Sequence, residues 1–467
     1  MSLPRRRESR QSIEIRVNAF LDSRPPTKTL EGRLRGNDFL AECSGFFSKL
    51  LAVDNSTLNT QHSTLAAALH AELEELEAAG LRRKRRVLES PQGARVRVDG
   101  RDYIAFCSND YLGLAAHPDV IEAAREGAAR YGVGAGASHL ILGHVAAHHE
   151  LEERLAAFVG LPRALLFATG YMANLGVVTA LTGRGDAVFA DRLNHASLND
   201  AALLSRADFR RYPHLDLAAL GRLLAASGAR RKLVVTDAVF SMDGDVAPLP
   251  DLIALCDRHD AWLLLDDAHG FGVLGPGGRG TPAHFSTGSP RLIYMATLGK
   301  AAGVFGAFVA GADEMVELLV QRARPYIYTT AAPPMLSVAL MKSLDLIRAD
   351  EWRRDHLGNL IALLRQRLIP GRWRLAPSST AIQPLVIGGN DEAVAASEHL
   401  ARNGLLVPAI RPPTVPQGTA RLRISLSAAH SLHDVERLAV ALGEIERAVP
   451  YSQTRPDPAC SIGDSGR

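Results

Sequence analysis

The chain has 467 residues, 47% hydrophobic and 22% charged, with a formal net charge of +3. That length supports two or three domains around a large core, and a charge so near neutral gives no ground for a general nucleic-acid surface. Cys43, Cys107, Cys256 and Cys460 are scattered without a CxxC pair, which argues against a disulfide framework, and no apolar run reaches the roughly 18 residues of a membrane span. The arginine-rich start has no apolar stretch behind it and carries Glu8, Glu14 and Asp22, so neither a secretory signal nor a transit peptide is expected. A cytoplasmic protein is the expectation.

Residues 1–60 have several breakers and no sustained periodicity, and read as a poorly ordered extension. From Leu65, LAAALHAELEELEAAGLRRKRR repeats Leu65, Leu69, Leu73 and Leu76 at helical spacing, with acids early and bases late as a helix dipole favours. RVRVDGRDYIAF then alternates about an Asp-Gly turn, which predicts a hairpin. The predicted N-terminal helix and hairpin arm spans 61–117. Between 118 and 345, helical patterns alternate with short apolar runs: ALLFA, AVFA, KLVVTDAVF, AWLLLDDAH, LIYMATLG and GAFVAG. Runs apolar on both faces predict a mostly parallel sheet covered by helices, in an α/β domain. A smaller α+β domain follows over 346–450, with strands in IQPLVIG and ARLRISLS, a closing helix in SLHDVERLAVALGEIERAV, and a frayed tail over 451–467.

Chemistry-bearing residues gather at the predicted strand ends. LLLDDAHG places Asp266 after an apolar run with His269 three residues on, and MATLGK delivers Thr297 and Lys300 before a glycine-punctuated turn. Open α/β sheets bind ligands at these ends. Burial lowers a lysine's pKa and makes it a competent Schiff-base nucleophile, and a carboxylate on a neighbouring strand can keep a pyridine nitrogen protonated. Singly, an acid in such a place reads as a cap and a lysine as a solvated side chain; the combination points to chemistry. FATGYMAN offers the amides of Gly170 and Tyr171 at a helix start for a phosphate, and ADRLNHASL places His195 where an imidazole can stack on an aromatic ring.

In order, SNDYLGL, LNHASL, VFSMDGD, DDAHGFGVLGPGGRG, TLGK and RLRISLSAAH resemble the α-oxoamine synthases over residues 65–447. These fold-type-I enzymes use pyridoxal 5'-phosphate (PLP) to condense an amino acid with an acyl thioester. AIRPPTVPQGTARLR is most similar to the branch that joins L-alanine to a pimeloyl thioester in biotin synthesis; the alternatives are the aminolevulinate, aminoketobutyrate and ketosphinganine types. The resemblance implies that Lys300 bonds the cofactor, Asp266 pairs with its pyridinium nitrogen, His269 meets its phenolic oxygen and His195 stacks on its ring. It likewise implies cofactor contacts for Ser241, Thr297, Gly170 and Tyr171, the amino-acid carboxylate at Arg411 with Thr414 nearby, and the acyl substrate at Arg82. YIYTTAAPP resembles a segment that brings Thr329 or Thr330 to the other subunit's cofactor, which implies a homodimer with shared sites. The chain departs from the family pattern at Ala137, His139, Leu142, Ala302 and Phe305.

Other patterns read as structural. GVGAG follows a helical pattern instead of a strand, against a dinucleotide site. His144 and His148 at i, i+4 show no third ligand and read as polar helix surface; SMDGD reads as a turn about Gly244, and RRKRR equally as a solvated helix end or as a basic run for CoA phosphates. Besides an active synthase, two classes stay open: a non-catalytic partner subunit of that fold, and a dinucleotide oxidoreductase.

Overall fold

The computed structural model describes residues 55–78, 81–83 and 85–448. Of the extension expected to be poorly ordered over 1–60, residues 1–54 lie outside them, as does the tail from Tyr451, whereas Asn55 to Thr60 are helical and correct that expectation. The chain divides into two compact units, one ending at Arg85 and the other beginning at Arg86.

In the first unit a helix runs Asn55–Ala78, starting ten residues before Leu65. It has no acid in its first turn and no base in its last, so charge does not complement its dipole as the sequence pattern suggests. The basic run is not a helix end: the Leu81 and Arg82 amides both donate to the Leu76 carbonyl, at 2.7 and 3.1 Å, closing the helix before the arginines.

In the second unit, β1 (Arg95–Val98) and β2 (Arg101–Ala105) form the expected hairpin, with Asp99 and Gly100 both at positive φ as an Asp-Gly turn allows. Seven further strands follow: β3 (Arg163–Phe167), β4 (Ala187–Asp191), β5 (Asp208–Tyr212), β6 (Lys232–Asp237), β7 (Ala261–Asp266), β8 (Leu292–Thr297) and β9 (Ala307–Gly311). They make one sheet in the order β3-β9-β8-β7-β6-β4-β5, in which β9 runs antiparallel to both its neighbours and every other pairing is parallel. Alternate residues feed two cores. Val234, Leu263 and Leu265 join one cluster, while Leu233, Val235 and Leu264 join the other on the opposite face. The smaller sheet holds β10 (Arg374–Leu375), β11 (Ile382–Gly388), β13 (Ala409–Ile410) and β14 (Ala420–Ser425); β12 (Leu405–Leu406) pairs instead with β2. The closing helix is Leu432–Ala448. Among the described residues no helix is long and apolar enough to cross a membrane.

β5 has no counterpart among the predicted strands. DFRRY is polar, and as the last strand of the sheet it buries little beyond Tyr212.

Leu264 is fully buried in the middle of β7. Leu264→Ala should lower stability by about 2–5 kcal/mol, from lost transfer energy and the cavity left behind. Urea unfolding followed by circular dichroism measures this, and a loss under about 1 kcal/mol would mean the sheet's core relaxes around the gap.

Candidate active site

The carboxyl ends of five strands deliver the predicted cofactor residues to one edge of the seven-stranded sheet. β8 leads into Lys300, whose Nζ lies 2.9 Å from His269 Nε2 in the turn after β7. His269 Nδ1 is 2.7 Å from the Tyr111 hydroxyl, which donates to Asn109 Oδ1 at 3.1 Å. With the tautomer that protonates Nδ1, Lys300, His269, Tyr111 and Asn109 form a continuous donor chain. Burial pulls the Lys300 ammonium down to about 8, helped by the Arg423 guanidinium, while Asp266 and Asp237 act in the opposite sense. Burial and the neighbouring Lys300 charge hold His269 far below the usual imidazole range, so the ring is neutral.

Asp266, the last residue of β7, is buried; its Oδ2 accepts from Asn174 Nδ2 at 2.8 Å and its Oδ1 from the Ala268 amide at 3.1 Å. Asp237 closes β6 beside it, and its Oδ2 accepts from the His195 amide at 2.7 Å. Burial first, then the Asp266 charge, raise Asp237 well above the carboxylate range. The His195 ring is exposed, caps the helix Ala196–Ser205 and bonds Ser197 Oγ at 2.7 Å.

Beyond β3, Thr169 Oγ1 accepts from the Met172 amide and caps the helix Gly170–Leu181. The first amides of such a helix, here Gly170 and Tyr171, have no intrahelical acceptor and suit an anion. A Cβ placed on Gly170 would lie 3.9 Å from the Thr297 side chain, so the helix start adjoins the end of β8. The Tyr171 phenol turns away to Asp200. Thr297 Oγ1 donates to the Gly306 carbonyl at 3.0 Å.

Ser241 is fixed from the smaller sheet. Arg423 on β14 donates through Nε to the Ser241 carbonyl at 2.6 Å and through Nη1 and Nη2 to Asn109 at 3.3 Å. Arg421 on the same face of β14 binds Asp243 and the Met242 carbonyl. SMDGD is a turn as expected: Gly244 has φ +71°, and a Cβ there would sit 2.4 Å from the Ile382 carbonyl oxygen, space that only glycine leaves free. Arg411 follows β13 directly, at the strand beside Arg421, and its carbonyl accepts from the exposed Thr414 at 3.0 Å. Arg82 belongs to the other unit, where it pairs with Glu77 at 3.2 Å.

The chain matches the family Aminotransferase class I and II over residues 101–442. It is 68% identical over 367 residues to an 8-amino-7-oxononanoate synthase of Nitrosospira multiformis, covering 79% of this chain and 93% of that protein. The chain belongs to the 8-amino-7-oxononanoate synthase family. A relative of the same name in Nitrosomonas europaea is 64% identical over 82% of this chain and 99% of its own length. Among solved structures, the synthase of Francisella tularensis superposes with a TM-score of 0.64 at 31% identity, over 74% of this chain and 98% of its own. A serine palmitoyltransferase of Sphingomonas wittichii gives 0.76 at 32%, over 82% and 97%.

Membership in the synthase family implies PLP as cofactor, and the residues present suit it. A pyridine nitrogen needs a carboxylate, an aldehyde needs an amine that is not locked as ammonium, and a phosphate needs unbonded amides. Asp266, Lys300 and the start of the helix Gly170–Leu181 supply one of each.

The histidines differ from the sequence expectation. His148 is buried, not on a polar helix face: its Nδ1 accepts from the Val145 amide at 3.1 Å and its Nε2 donates to the Ala332 carbonyl at 2.8 Å. A third imidazole is also present, His139, with Nδ1 3.0 Å from His144 Nδ1. Reading by sequence also missed Asn174, Asp237, Arg423 and His214. The His214 ring bridges Asp191 Oδ1 at 3.0 Å and Asp245 Oδ2 at 2.7 Å, tying the β4 exit that carries His195 to the turn that carries Ser241.

Burial lowers the His214 pKa, but hydrogen bonds and charge from Asp191 and Asp245 outweigh it and raise the ring to about 10. A folded value above the unfolded one of about 6.5 stabilises fully below that pH, and the gain fades as pH climbs through the folded value. Thermal stability of the wild type should therefore fall between about pH 7 and 10 more steeply than that of His214→Asn. Parallel slopes in the two proteins would show that the bridge carries no charge.

Proposed function

We propose that the chain condenses L-alanine with a pimeloyl thioester, of CoA or of a carrier protein, and releases CO₂, the free thiol and 8-amino-7-oxononanoate in biotin synthesis. The observation that carries this reading is the Lys300 amine, brought by β8 against neutral His269 and within the field of Asp266 and Asp237. It stands in a chain 68% identical to a synthase of that name.

When bound, PLP supplies a carbonyl that takes up amines and a ring that accepts electron density from the amino acid's α-carbon. Lys300 would hold that carbonyl. At a pKa of about 8 a useful fraction of the amine is neutral near pH 7, so the free Nζ could accept a proton from the amino acid's α-carbon. Asp266, oriented by Asn174 and the Ala268 amide, keeps the ring nitrogen protonated. His269, its ring fixed through Tyr111, would stand beside the phenolic oxygen. His195 covers the ring face, held by Asp237 through its amide. Gly170, Tyr171 and Thr297 receive the phosphate, and Ser241 contacts the cofactor from the loop that Arg423 fixes. Arg411 grips the alanine carboxylate as a bidentate pair with Thr414 beside it, and Arg82 serves the acyl substrate.

The reading includes a cytoplasmic homodimer. Tyr328 and Thr330 are exposed in the single chain, so this part of the 326–334 segment is open to bring Thr329 or Thr330 to the other subunit's phosphate site.

A panel of amino acids and acyl thioesters, with product identified by mass spectrometry, tests the assignment. Alanine with the pimeloyl thioester should be the best pair; preference for glycine with succinyl-CoA would remove the biotin-pathway reading. Lys300→Ala should abolish turnover and the visible absorbance of bound cofactor while leaving the circular dichroism unchanged, and multiple turnovers by that variant would overturn the role of Lys300. Asp266→Asn should cut kcat by about 10²-fold or more, since an amide cannot hold the ring nitrogen protonated. Arg411→Lys should raise KM for alanine and spare KM for the thioester, and Arg82→Ala the reverse.

A further inference from the structure

Away from the strand-end site, the described residues contain two trios whose ligand atoms all lie within 4.8 Å of one another: His139, His144 and His148, and His144, His149 and Glu152. The hydrogen bonds decide between them. His148 has one ring nitrogen accepting from the Val145 amide and the other donating to the Ala332 carbonyl, so it has no lone pair to offer and the first trio falls to two. In the second trio every member keeps a ligand atom available. His144 turns Nδ1 toward His139 at 3.0 Å, which leaves its Nε2 facing Glu152 Oε2 at 3.9 Å. Glu152 spends Oε1 on the Leu166 amide at 2.9 Å and presents the other oxygen. His149 precedes Glu152 by three residues on the helix Ala146–Val159, the spacing that puts two side chains on one face. Its other polar contact is a solvent-exposed pair with Glu153 at 3.5 Å, easily exchanged.

A cavity of about 520 Å³ opens on the trio, lined by all three side chains with Tyr326 and Arg163. Arg163, a cation lining the cavity, is engaged by Glu317 at 2.9 Å.

We propose that His144, His149 and Glu152 bind one divalent transition-metal ion, of which Zn²⁺ is the probe, with a coordination position left open toward this cavity. Two imidazoles and a carboxylate are a donor set zinc accepts, with bonds of about 2.0–2.2 Å, so the 3.9 Å between His144 and Glu152 needs only a small side-chain closure. His139 orients His144 through its far nitrogen, the arrangement by which outer groups fix a metal-bound imidazole. The ion has no part in the condensation. It would fasten the segment carrying His139 and His144 onto the helix. That segment also accepts the Ala331 amide at the Ala137 carbonyl, at 3.0 Å, so the clamp reaches the 326–334 stretch.

The full-length protein, stripped with chelator and passed through gel filtration, should take up one Zn²⁺ per chain by calorimetry and by metal content. Zn²⁺ should raise the wild-type Tm. His149→Ala replaces an exposed side chain and should fold normally, yet bind at least about tenfold more weakly and lose the Tm shift. Glu152→Gln keeps an acceptor for the Leu166 amide and should weaken binding as well. No uptake by the wild type at micromolar Zn²⁺, or equal affinity in the wild type and His149→Ala, would overturn the site.

Discussion

The Lys300 amine sits between opposed influences: burial and the Arg423 guanidinium strip its proton, and Asp266 and Asp237 retain it. The balance leaves a base whose two protonation states are both accessible near neutrality, which an exposed lysine is not. Each neighbouring feature serves to hold that balance in place. A neutral His269 can lie against the amine without a second positive charge, and the Tyr111–Asn109 chain keeps the ring from turning. Asp237 is raised well above its ordinary range by burial and by Asp266, so it takes up a proton more readily than an exposed acid would.

Parallel strands supply the placement. Adjacent exits lie about 4.8 Å apart, so Asp237, Asp266 and the chain leading to Lys300 come from three neighbouring strands and meet without any loop having to search for its position. The smaller sheet completes the pocket through β14, whose Arg421 and Arg423 point the same way and hold the loop from Ser241 to Asp243. Arg411, proposed above for the amino-acid carboxylate, follows the strand paired with β14, next to the one that carries Arg421 and Arg423.

Much of this was legible in the residues themselves. Strands apolar on both faces could only be interior, Asp-Gly between alternating residues could only turn, and Asp266, His269 and Lys300 stand at strand ends because the apolar runs stop there. What the sequence concealed depends on distant partners. His214 finds its acids 23 and 31 residues away, and Arg423 reaches groups 182 and 314 residues away, with no local motif around either. His148 looked like surface because periodicity cannot reveal a carbonyl waiting 184 residues downstream. DFRRY escaped notice because an edge strand need not be apolar.

The hairpin of β1 and β2 pairs its second strand in parallel with β12, Ile104 against Leu405. On a ribosome the hairpin would emerge early and keep an open strand edge until roughly 300 further residues had been synthesised, since pairings so far apart in sequence form late. A growing chain thus exposes a sticky edge through most of its synthesis, and the basic side chains of Arg95, Arg97 and Arg101 along that hairpin supply the charge that discourages edge-to-edge association meanwhile.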